Sequence, residues 1–218
     1  MINVRVFSSK IMGANCYLVY DGLNSIVIDP CVDYNFISKY IKGDLKGVFI
    51  THGHFDHIEC LDSYLKANDN LLIYLHKNCV RKLSKKELNL SVMGYYPVEL
   101  NIDSKNIRVI GNEVIDNVFD NVNIISFEVL GHSDCSLVYV INDLMFTGDF
   151  IFKRSIGRTD LPSGNNNLMN VYLNKFKKLE FDKVTINKEN YLIYPGHGNN
   201  TTYNEEMEYN PYLKMKYE

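Results

Sequence analysis

Seven residues of this chain can be interpreted as metal ligands, and four of them follow closely after a short apolar segment, Gly47–Ile50. The seven are His52, His54, Asp56, His57, His132, Asp149 and His197. The last three follow at long intervals, each beside a glycine. All seven fall at predicted strand ends or in the loops after them, where a rigid scaffold presents reactive groups. Any fold of this chain must therefore bring distant loops to one place.

The spacing within the first group predicts two neighbouring metal ions. Imidazole and carboxylate are the ligands that a borderline metal such as zinc prefers. In an extended loop, alternate side chains face the same way, so His52, His54 and Asp56 can converge while His57 points elsewhere. Gly53 lets the backbone fold tightly between them. We assign one ion to His52, His54 and His132, the other to Asp56, His57 and His197, and a bridging position to Asp149.

The chemistry expected from such a pair is hydrolysis. Two divalent cations about 3.5–4 Å apart lower the pKa of bound water to about 7 and polarise a carbonyl. Asp56 is the predicted catalytic residue, because it can also accept a hydrogen bond from the nucleophile and aim it. Zinc suits the ligand set best, with iron or manganese as alternatives. A lone H-x-H or Thr-Gly-Asp is usually structural, but the complete ordered set indicates a metal site.

The remaining histidine and the cysteines are expected to be structural. Only 6 histidines occur, and His76 stands alone at a predicted strand end. The 5 cysteines are scattered and never form C-x-x-C, which argues against a disulfide framework or a thiolate zinc site and favours the reducing cytoplasm. Cys60 and Cys135 each follow a predicted ligand by three residues, but a small buried hydrophobe is the more common role of a free cysteine.

Composition and charge exclude several classes of protein. The 46% hydrophobic and 22% charged residues are ordinary for a globular protein, and the length suits one domain over residues 1–218. A net charge of −3 without a basic stripe argues against a nucleic-acid partner, so a small molecule is expected. No apolar run approaches the ~20 residues of a membrane span. The first residues already resemble a strand, so no signal peptide is expected, and the oligomeric state stays open.

Apolar runs and alternating patterns predict many short strands. They are Ile2–Phe7, Cys16–Tyr20, Ser25–Asp29, Gly47–Ile50, Leu71–Leu75, Ile107–Ile110, Val122–Val129, Leu137–Ile141, Leu144–Phe146 and Tyr191–Tyr194. Helices are predicted after Asp33, over Ile58–Lys66 and Lys77–Leu83, over Leu168–Leu179 behind a capping Asn165–Asn167, and from Thr201 or Thr202 until Pro211. Strands outnumber helices and are partly segregated from them, which predicts an α+β fold of two mixed sheets with helices outside.

At these residues the chain resembles the metallo-β-lactamase superfamily, and within it the glyoxalase II-like (hydroxyacylglutathione hydrolase-like) branch. Besides the seven ligands, the resemblance covers Asn15–Leu18, Val27–Pro30, Leu88–Ser91, Ile156–Pro162, Tyr194–Gly198 and Thr201–Leu213. It implies a four-layer αββα sandwich, in agreement with the order of elements, and the same assignment of ligands to the two metals. The Gly-Arg-Thr-Asp-Leu-Pro segment and the Asn-Pro-Tyr-Leu segment near the end resemble small bacterial members of this branch.

Three departures from the family pattern bear on function. Ile58-Glu59-Cys60 stand where the family commonly has a Gly pair, and Ser133-Asp134-Cys135 replace a turn containing Pro or Gly. Few residues follow His197, so the longer C-terminal helical domain that carries glutathione contacts in full-length glyoxalase II is expected to be absent. The metal chemistry survives these departures, whereas the thiol carrier stays open.

The resemblance implies a thioester hydrolase acting on a 2-hydroxyacyl-thiol conjugate of the S-lactoylglutathione type. The alternative from another enzyme class is an iron-dependent persulfide dioxygenase, with one iron on His52 or its equivalents, His132 and Asp149. A lactonase is a further alternative, and a nuclease is disfavoured by the charge. A non-catalytic binding module is disfavoured because no ligand is missing.

Several residues near these motifs have two interpretations. Arg158, Thr159 and Asp160 either orient a ligand or pin a loop through an Arg–Asp pair. Tyr95 and Tyr96 either line a substrate groove or form an aromatic packing patch. The lysines at 82, 85 and 86 are expected on a solvated face, with contact to an anionic substrate as the alternative.

Overall fold

Two six-stranded mixed sheets form the centre of the computed structural model, which describes residues 1–186 and 190–215. The first sheet contains, in spatial order, β1 (Asn3–Ser8), β2 (Asn15–Tyr20), β3 (Asn24–Ile28), β4 (Asp44–Phe49), β5 (Ile73–His76) and β6 (Ile107–Ile110). Its pairs are antiparallel as far as β3 and parallel from β3 to β6. Parallel strands end at the same edge, and β4 ends immediately before the predicted ligand loop.

The second half of the chain builds the other sheet and two small ribbons. In chain order its strands are β7 (Glu113–Phe119), β8 (Val122–Glu128), β9 (Leu137–Ile141), β10 (Leu144–Gly148), β11 (Ile151–Phe152), β12 (Ser155–Ile156), β13 (Glu180–Phe181), β14 (Val184–Thr185), β15 (Leu192–Pro195) and β16 (Thr201–Thr202). The sheet has the order β16-β15-β10-β9-β8-β7, with β10 and β15 parallel and the other pairs antiparallel. The ribbons pair β11 with β12 and β13 with β14.

Helices cover the outer faces of both sheets. They are α1 (Tyr34–Ile37), α2 (Phe55–Ile58), α3 (Leu61–Ala67), α4 (Val80–Leu83), α5 (Asn166–Lys178), α6 (Tyr203–Tyr209) and α7 (Pro211–Lys214), with 3-10 turns at Ser38–Tyr40, Ser91–Met93 and Ser104–Asn106. Across residues 1–186 and 190–215, none of them combines the length and the apolar character that a bilayer crossing requires.

Three apolar cores separate the layers. Tyr17, Phe49, Tyr139 and Phe146 are among the side chains packed between the two sheets. Helices α2 and α3 pack Ile58, Leu61 and Tyr64 against the first sheet. Helix α5 packs Met169, Leu173 and Phe176 against the second. The arrangement is the four-layer αββα sandwich, so the predicted fold class is confirmed.

The helix predicted over Ile58–Lys66 is confirmed from Leu61 onward, but its start is wrong, and the start contains predicted ligands. Residues 55–58 already form α2, and α3 begins only at Leu61, with Glu59 and Cys60 between them. His54 has extended backbone angles (φ −74°, ψ 146°) as expected, but Asp56 lies on a helical turn rather than in an extended loop. The apolar pattern did not reveal this because the turn Phe55–Ile58 is too short to show helical periodicity.

Strand β7 and the C-terminal helices also differ from the sequence prediction. Strand β7 was missed because Asp116 and Asn117 interrupt its alternation, and Asn117 adopts φ 63° where the register with β8 shifts. Pro211 does follow the end of α6, but it also occupies the first turn of a further helix, α7, where its missing N–H costs nothing. The predicted caps Asp33, Asn165 and Thr202 are confirmed, because each side chain accepts a backbone N–H.

Substitution of Phe49 tests how much the packing between the two sheets contributes to stability. Its ring stacks on Tyr74 at 4.3 Å and meets Tyr139 edge-on at 5.3 Å, and it is fully buried. We expect Phe49→Ala to lower the free energy of unfolding by about 3–5 kcal/mol, because the cavity it leaves cannot collapse between two sheets. The matched control Leu23→Ala, at an exposed position, should change it by less than about 0.5 kcal/mol in urea unfolding.

Candidate metal centre

The two sheets bring all seven predicted ligands to one edge of the sandwich. The segment after β4 supplies His52 and His54, and α2 supplies Asp56 and His57. The remaining three follow β8, β10 and β15 of the second sheet and are His132, Asp149 and His197. The structure thus places together what the sequence spreads over more than half of the chain, while the role of these residues as metal ligands stays a prediction.

The first cluster consists of three imidazoles. Nδ1 of His54 lies 3.0 Å from Nε2 of His52 and 2.9 Å from Nε2 of His132. All three nitrogens lie within 4.8 Å of one another. Three nitrogens this close repel one another through their lone pairs unless a cation or a proton lies between them. The cluster therefore has the geometry of a three-histidine metal site.

The second cluster joins an imidazole pair to a carboxylate. Oδ2 of Asp56 lies 3.3 Å from Nε2 of His197 and 3.8 Å from Nε2 of His57. Asp149 stands between the clusters, with Oδ1 3.4 Å from Nε2 of His57 and Oδ2 3.4 Å from Nε2 of His132. This placement is the one that a carboxylate bridging two cations requires.

Buried atoms without partners show that the donor set fits cations. Within the described part of the chain, Nε2 of His57 and Oδ1 of Asp149 are buried without a hydrogen-bond partner. A buried polar atom left unpaired is costly, so both atoms need a partner that the protein does not supply. Five imidazoles and two carboxylates in two adjoining clusters are a suitable donor set for two divalent cations.

Contacts behind the ligands decide which ring nitrogen faces the centre. The Nδ1 of His132 donates to the carbonyl oxygen of Arg158 at 2.8 Å. The Nδ1 of His52 lies 3.2 Å from the hydroxyl of Thr51, which itself donates to a carboxylate and so accepts from the ring. In both residues Nε2 is left free of its proton and turned toward the cluster.

Asp29 is the functional residue that the sequence analysis missed. Its Oδ2 lies 2.8 Å from Nδ1 of His57, and its two oxygens also accept from the N–H (2.8 Å) and the hydroxyl (2.6 Å) of Thr51. The carboxylate is buried and the residue adopts φ 53°. A signal was present in Val27-Ile28-Asp29-Pro30, where an acid directly ends a buried strand, but that segment was noted only as part of the resemblance.

The imidazoles of the first cluster are in the form that binds metal. Burial, together with neighbouring histidines, holds the pKa of His52 well below its ordinary value. Burial lowers the pKa of His54 to about 3, with His132 adding to the effect. Burial also lowers the pKa of His132, against the opposing effect of Asp149. All three rings are therefore neutral at pH 7.

His57 is the opposite case. Burial lowers its pKa, but the carboxylates of Asp149, Asp56 and Asp29 together outweigh burial and hold the pKa well above 6.5. In the metal-free protein this ring carries a proton, which a cation must displace.

One of two bound metal equivalents should therefore be far more sensitive to acid. We expect the affinity of the second cluster to fall as pH decreases from the raised pKa of His57, because protonation of that ring competes with the cation. The first cluster should keep its metal to lower pH, since its imidazoles are already neutral. Metal content after dialysis against buffers of decreasing pH measures both; loss of the two equivalents at one pH would contradict this.

Glycines allow the close approach of the loops. A Cβ on Gly196 would lie 2.1 Å from Oδ1 of Asp149, and one on Gly53 would lie 2.8 Å from Cδ of Lys82. Both contacts are below van der Waals distance, so a side chain at Gly196 would displace Asp149, and one at Gly53 would displace Lys82.

The expectation that Lys82 lies on a solvated face is wrong. Lys82 is only 2% exposed, and its Nζ lies 2.9 Å from Oδ1 of Asp134 and donates to Ser163 at 2.9 Å. Its aliphatic part crosses the ligand loop at Gly53, which explains the burial. Helical spacing did not reveal this because the partners lie in distant loops. Lys85 is exposed as expected.

The structure also shows the surroundings of the other residues whose roles the sequence left open. The guanidinium of Arg158 pairs with both oxygens of Asp160 at 2.7 Å on the surface, as the loop-pinning interpretation predicts. The backbone carbonyl of Arg158 also accepts from Nδ1 of His132, so this residue orients a predicted ligand as well. His76 lies outside the clusters and pairs with Glu128 at 3.0 Å. Cys135 is buried, as expected of a small hydrophobe, whereas Cys60 is half-buried.

A cavity of about 780 Å³ opens over the clusters. Five of the predicted ligands form its floor, and the walls are mostly apolar. The walls include Met12, Leu90, Met93, Tyr95, Phe152, Ile156 and Leu161. Tyr95 therefore lines the groove, while the hydroxyl of Tyr96 donates to Glu59. A volume of this size is typical of small-molecule sites.

The sandwich carries imidazoles and carboxylates, in groups that could hold metal ions, beneath a cavity of small-molecule size. The profile of the metallo-beta-lactamase superfamily matches residues 11–197. The chain belongs to this superfamily.

Relatives and solved structures agree with that assignment. The chain is 31% identical to a "probable metallo-hydrolase" of Streptococcus pyogenes, over 94% of this chain and 88% of the relative. It is 30% identical to the "probable metallo-hydrolase" YqgX of Bacillus subtilis, over 92% of both. It is 26% identical to hydroxyacylglutathione hydrolase GloC of Haemophilus influenzae, over 99% of this chain and all of the relative.

Among solved structures, the BLEG-1 B3 metallo-beta-lactamase superposes with a TM-score of 0.83 at 26% identity, covering 99% of this chain and 100% of that one. A protein solved in a di-iron-bound form also superposes, with a TM-score of 0.76 at 23% identity over 96% of this chain and 100% of that one. ETHE1 from Myxococcus xanthus gives 0.70 at 23% identity over 96% and 83%. The last two likenesses concern the fold alone.

Proposed function

We propose that this protein is a glyoxalase II-like hydrolase with a dinuclear metal centre that cleaves a thioester, namely a 2-hydroxyacyl-thiol conjugate. The observation that carries the proposal is the second cluster, complete beside the first and joined to it by Asp149. Two bound divalent cations, with zinc as the best match, would supply a hydroxide at neutral pH and polarise the substrate carbonyl. In this proposal, side chains of the protein orient the nucleophile and the thioester.

Asp56 is the catalytic carboxylate of this proposal. It lines the cavity beside His197. Burial raises its pKa, but the neighbouring His57 and His197 outweigh burial and lower the pKa. The side chain is therefore ionised at neutral pH and can accept a hydrogen bond from the nucleophile, which aims it at the carbonyl carbon.

The cavity suits a leaving group that departs without help from an acid. Along its described walls, five of the predicted ligands contribute all the imidazole and carboxyl groups. A thiol has a pKa of about 8.5, so a thiolate can leave unprotonated, whereas the amine of an amide cannot. This difference favours a thioester over an amide substrate, and the relative named hydroxyacylglutathione hydrolase supports it independently.

The cysteines, the cavity and the net charge support a location and a class of partner for the protein. Buried cysteines in the described chain are free thiols, which supports a cytoplasmic location. Small-molecule substrates fit the cavity, and a net charge of −3 disfavours nucleic acid.

Hydrolysis of S-lactoylglutathione by metal-loaded protein, followed by release of free thiol, tests the proposal. We expect turnover in the wild type and its loss in His54→Ala, because that variant lacks the nitrogen central to the first cluster. Asp62→Asn, an exposed change paired only with Lys66, should keep full activity. Unchanged turnover in a protein lacking both His54 and Asp149 would contradict the proposal.

Iron-dependent persulfide oxidation is the second candidate, because His132 and Asp149 lie side by side and two imidazoles with a carboxylate can hold a single iron. Elemental analysis separates the two. About two zinc ions per chain with thiol release supports hydrolysis, whereas one iron per chain with oxygen uptake on a persulfide supports oxidation. A lactone in the same assay covers the lactonase alternative.

A further inference from the structure

The cavity is much larger than the acyl group of the proposed substrate. A 2-hydroxyacyl group of lactoyl size has only a few heavy atoms, and its carbonyl must lie over the clusters at the floor. The cavity holds about 780 Å³, within the usual range for whole small-molecule ligands. Most of this space is therefore left for the thiol half of the substrate.

The walls around that space are apolar and offer no free positive charge. Met93, Tyr95, Phe152 and Ile156 are among the residues that line it. Among the described wall residues, Arg158 is the single permanent cation, and Asp160 already engages its guanidinium through both oxygens. A carboxylate on the thiol would enter this space without a partner, which is unfavourable.

Glu59 holds the apolar rim in place. One of its oxygens accepts from the hydroxyl of Ser9 at 2.7 Å, and the other accepts from the hydroxyl of Tyr96. Ser9 begins the turn that carries Met12, because its N–H donates to the carbonyl of Ala14 at 2.8 Å. Glu59 thus ties the loop of Met12 to the loop of Met93 and Tyr95 over the mouth of the cavity.

The rim remains exposed although its side chains are large and apolar. Tyr95 is 82% exposed and Met93 is 64% exposed. Apolar side chains held in this way over a deep cavity are typical of ligand-binding grooves. An apolar ligand group between them would remove both from water.

We infer that the thiol half of the substrate is an uncharged, apolar group rather than a peptide thiol with free carboxylates such as glutathione, and that the rim tied by Glu59 binds it. The inference rests on the proposed thioester hydrolysis. Glu59 acts as a positioning residue, since it touches the rim loops and not the reacting atoms.

Three lactoyl thioesters test the inference on metal-loaded protein. They share the acyl group and differ in the thiol, which is glutathione, the short uncharged N-acetylcysteamine, or the apolar benzyl mercaptan. We expect kcat/KM for the benzyl thioester to exceed that for the glutathione thioester by at least about tenfold, as apolar pockets discriminate on this scale. Equal or better use of the glutathione thioester would overturn the inference and leave the proposed function standing.

Rim variants test where the thiol binds. Met93→Ser should raise KM for the benzyl thioester about tenfold, and by less for the N-acetylcysteamine thioester, whose thiol half has less apolar surface. Val92→Ser, a neighbour that is 53% exposed and does not line the cavity, is the matched control. Glu59→Ala and Tyr96→Phe should give the same KM effect, since both release the rim. Unchanged KM in Met93→Ser would overturn the assignment.

A different set of results would contradict the proposed thioester hydrolysis itself. If none of the three thioesters is cleaved while the same preparation opens a lactone or consumes oxygen with a persulfide, the thioester proposal and this inference both fall.

Discussion

Asp149→Asn is expected to abolish most activity, with a fall in turnover of about 10³-fold. The carboxylate lies 3.4 Å from both His57 and His132 and is the group between the clusters. An amide of the same shape removes the negative charge that two adjacent cations share, and losing one partner of a buried charge pair costs about 3–5 kcal/mol. Each 1.36 kcal/mol of lost stabilisation corresponds to tenfold in rate. We expect metal content to fall from two equivalents toward one.

Elemental analysis and turnover should be measured on the same preparation. Asp44→Asn serves as the control, since it removes a carboxylate of equal charge from an exposed pair with Lys46. Urea unfolding of the metal-free variant shows that the fold persists. If Asp149→Asn retained two equivalents and normal turnover, the bridging role would be wrong.

The ligands could be predicted from sequence because their pattern is local and chemical. His52, His54 and His57 stand within six consecutive residues after an apolar strand, and the glycines beside His132 and His197 mark turns. The order of strands and helices likewise predicted two mixed sheets, because alternation and helical spacing are properties of single segments. The fold class predicted in this way is confirmed, whereas the role of the clustered residues as metal ligands stays a prediction.

Contacts between distant segments could not be predicted in the same way. Lys82 is buried because its partners Asp134 and Ser163 come from other loops, and no local pattern records that. The helical turn at Asp56 is a single turn, which tertiary contacts stabilise rather than propensity. The sequence analysis missed Asp29 for a related reason. An acid at a strand end has no periodic pattern, and its role depends on contact with His57, which is distant in sequence.

A substitution at Asp29 therefore tests how a residue outside the two clusters controls metal binding. A carboxylate can only accept hydrogen bonds, so Asp29 requires His57 to carry its proton on Nδ1 and to turn a bare Nε2 toward the centre. In Asp29→Asn the amide N–H₂ can face Nδ1 and favour the other tautomer, with the proton on Nε2. That tautomer cannot bind a cation. Asn also tolerates the φ of 53°, so the backbone is preserved.

We expect Asp29→Asn to weaken binding of one metal equivalent by about 100-fold while the other stays tight, because only the second cluster depends on His57. Competition with a chelator at pH 7 measures both equivalents. Asp33→Asn is the control, since it removes a nearby exposed charge and an Asn still caps α1. Equal weakening of both equivalents would mean that Asp29 supports the whole ligand loop through Thr51, and unchanged binding would mean that the tautomer of His57 is set elsewhere.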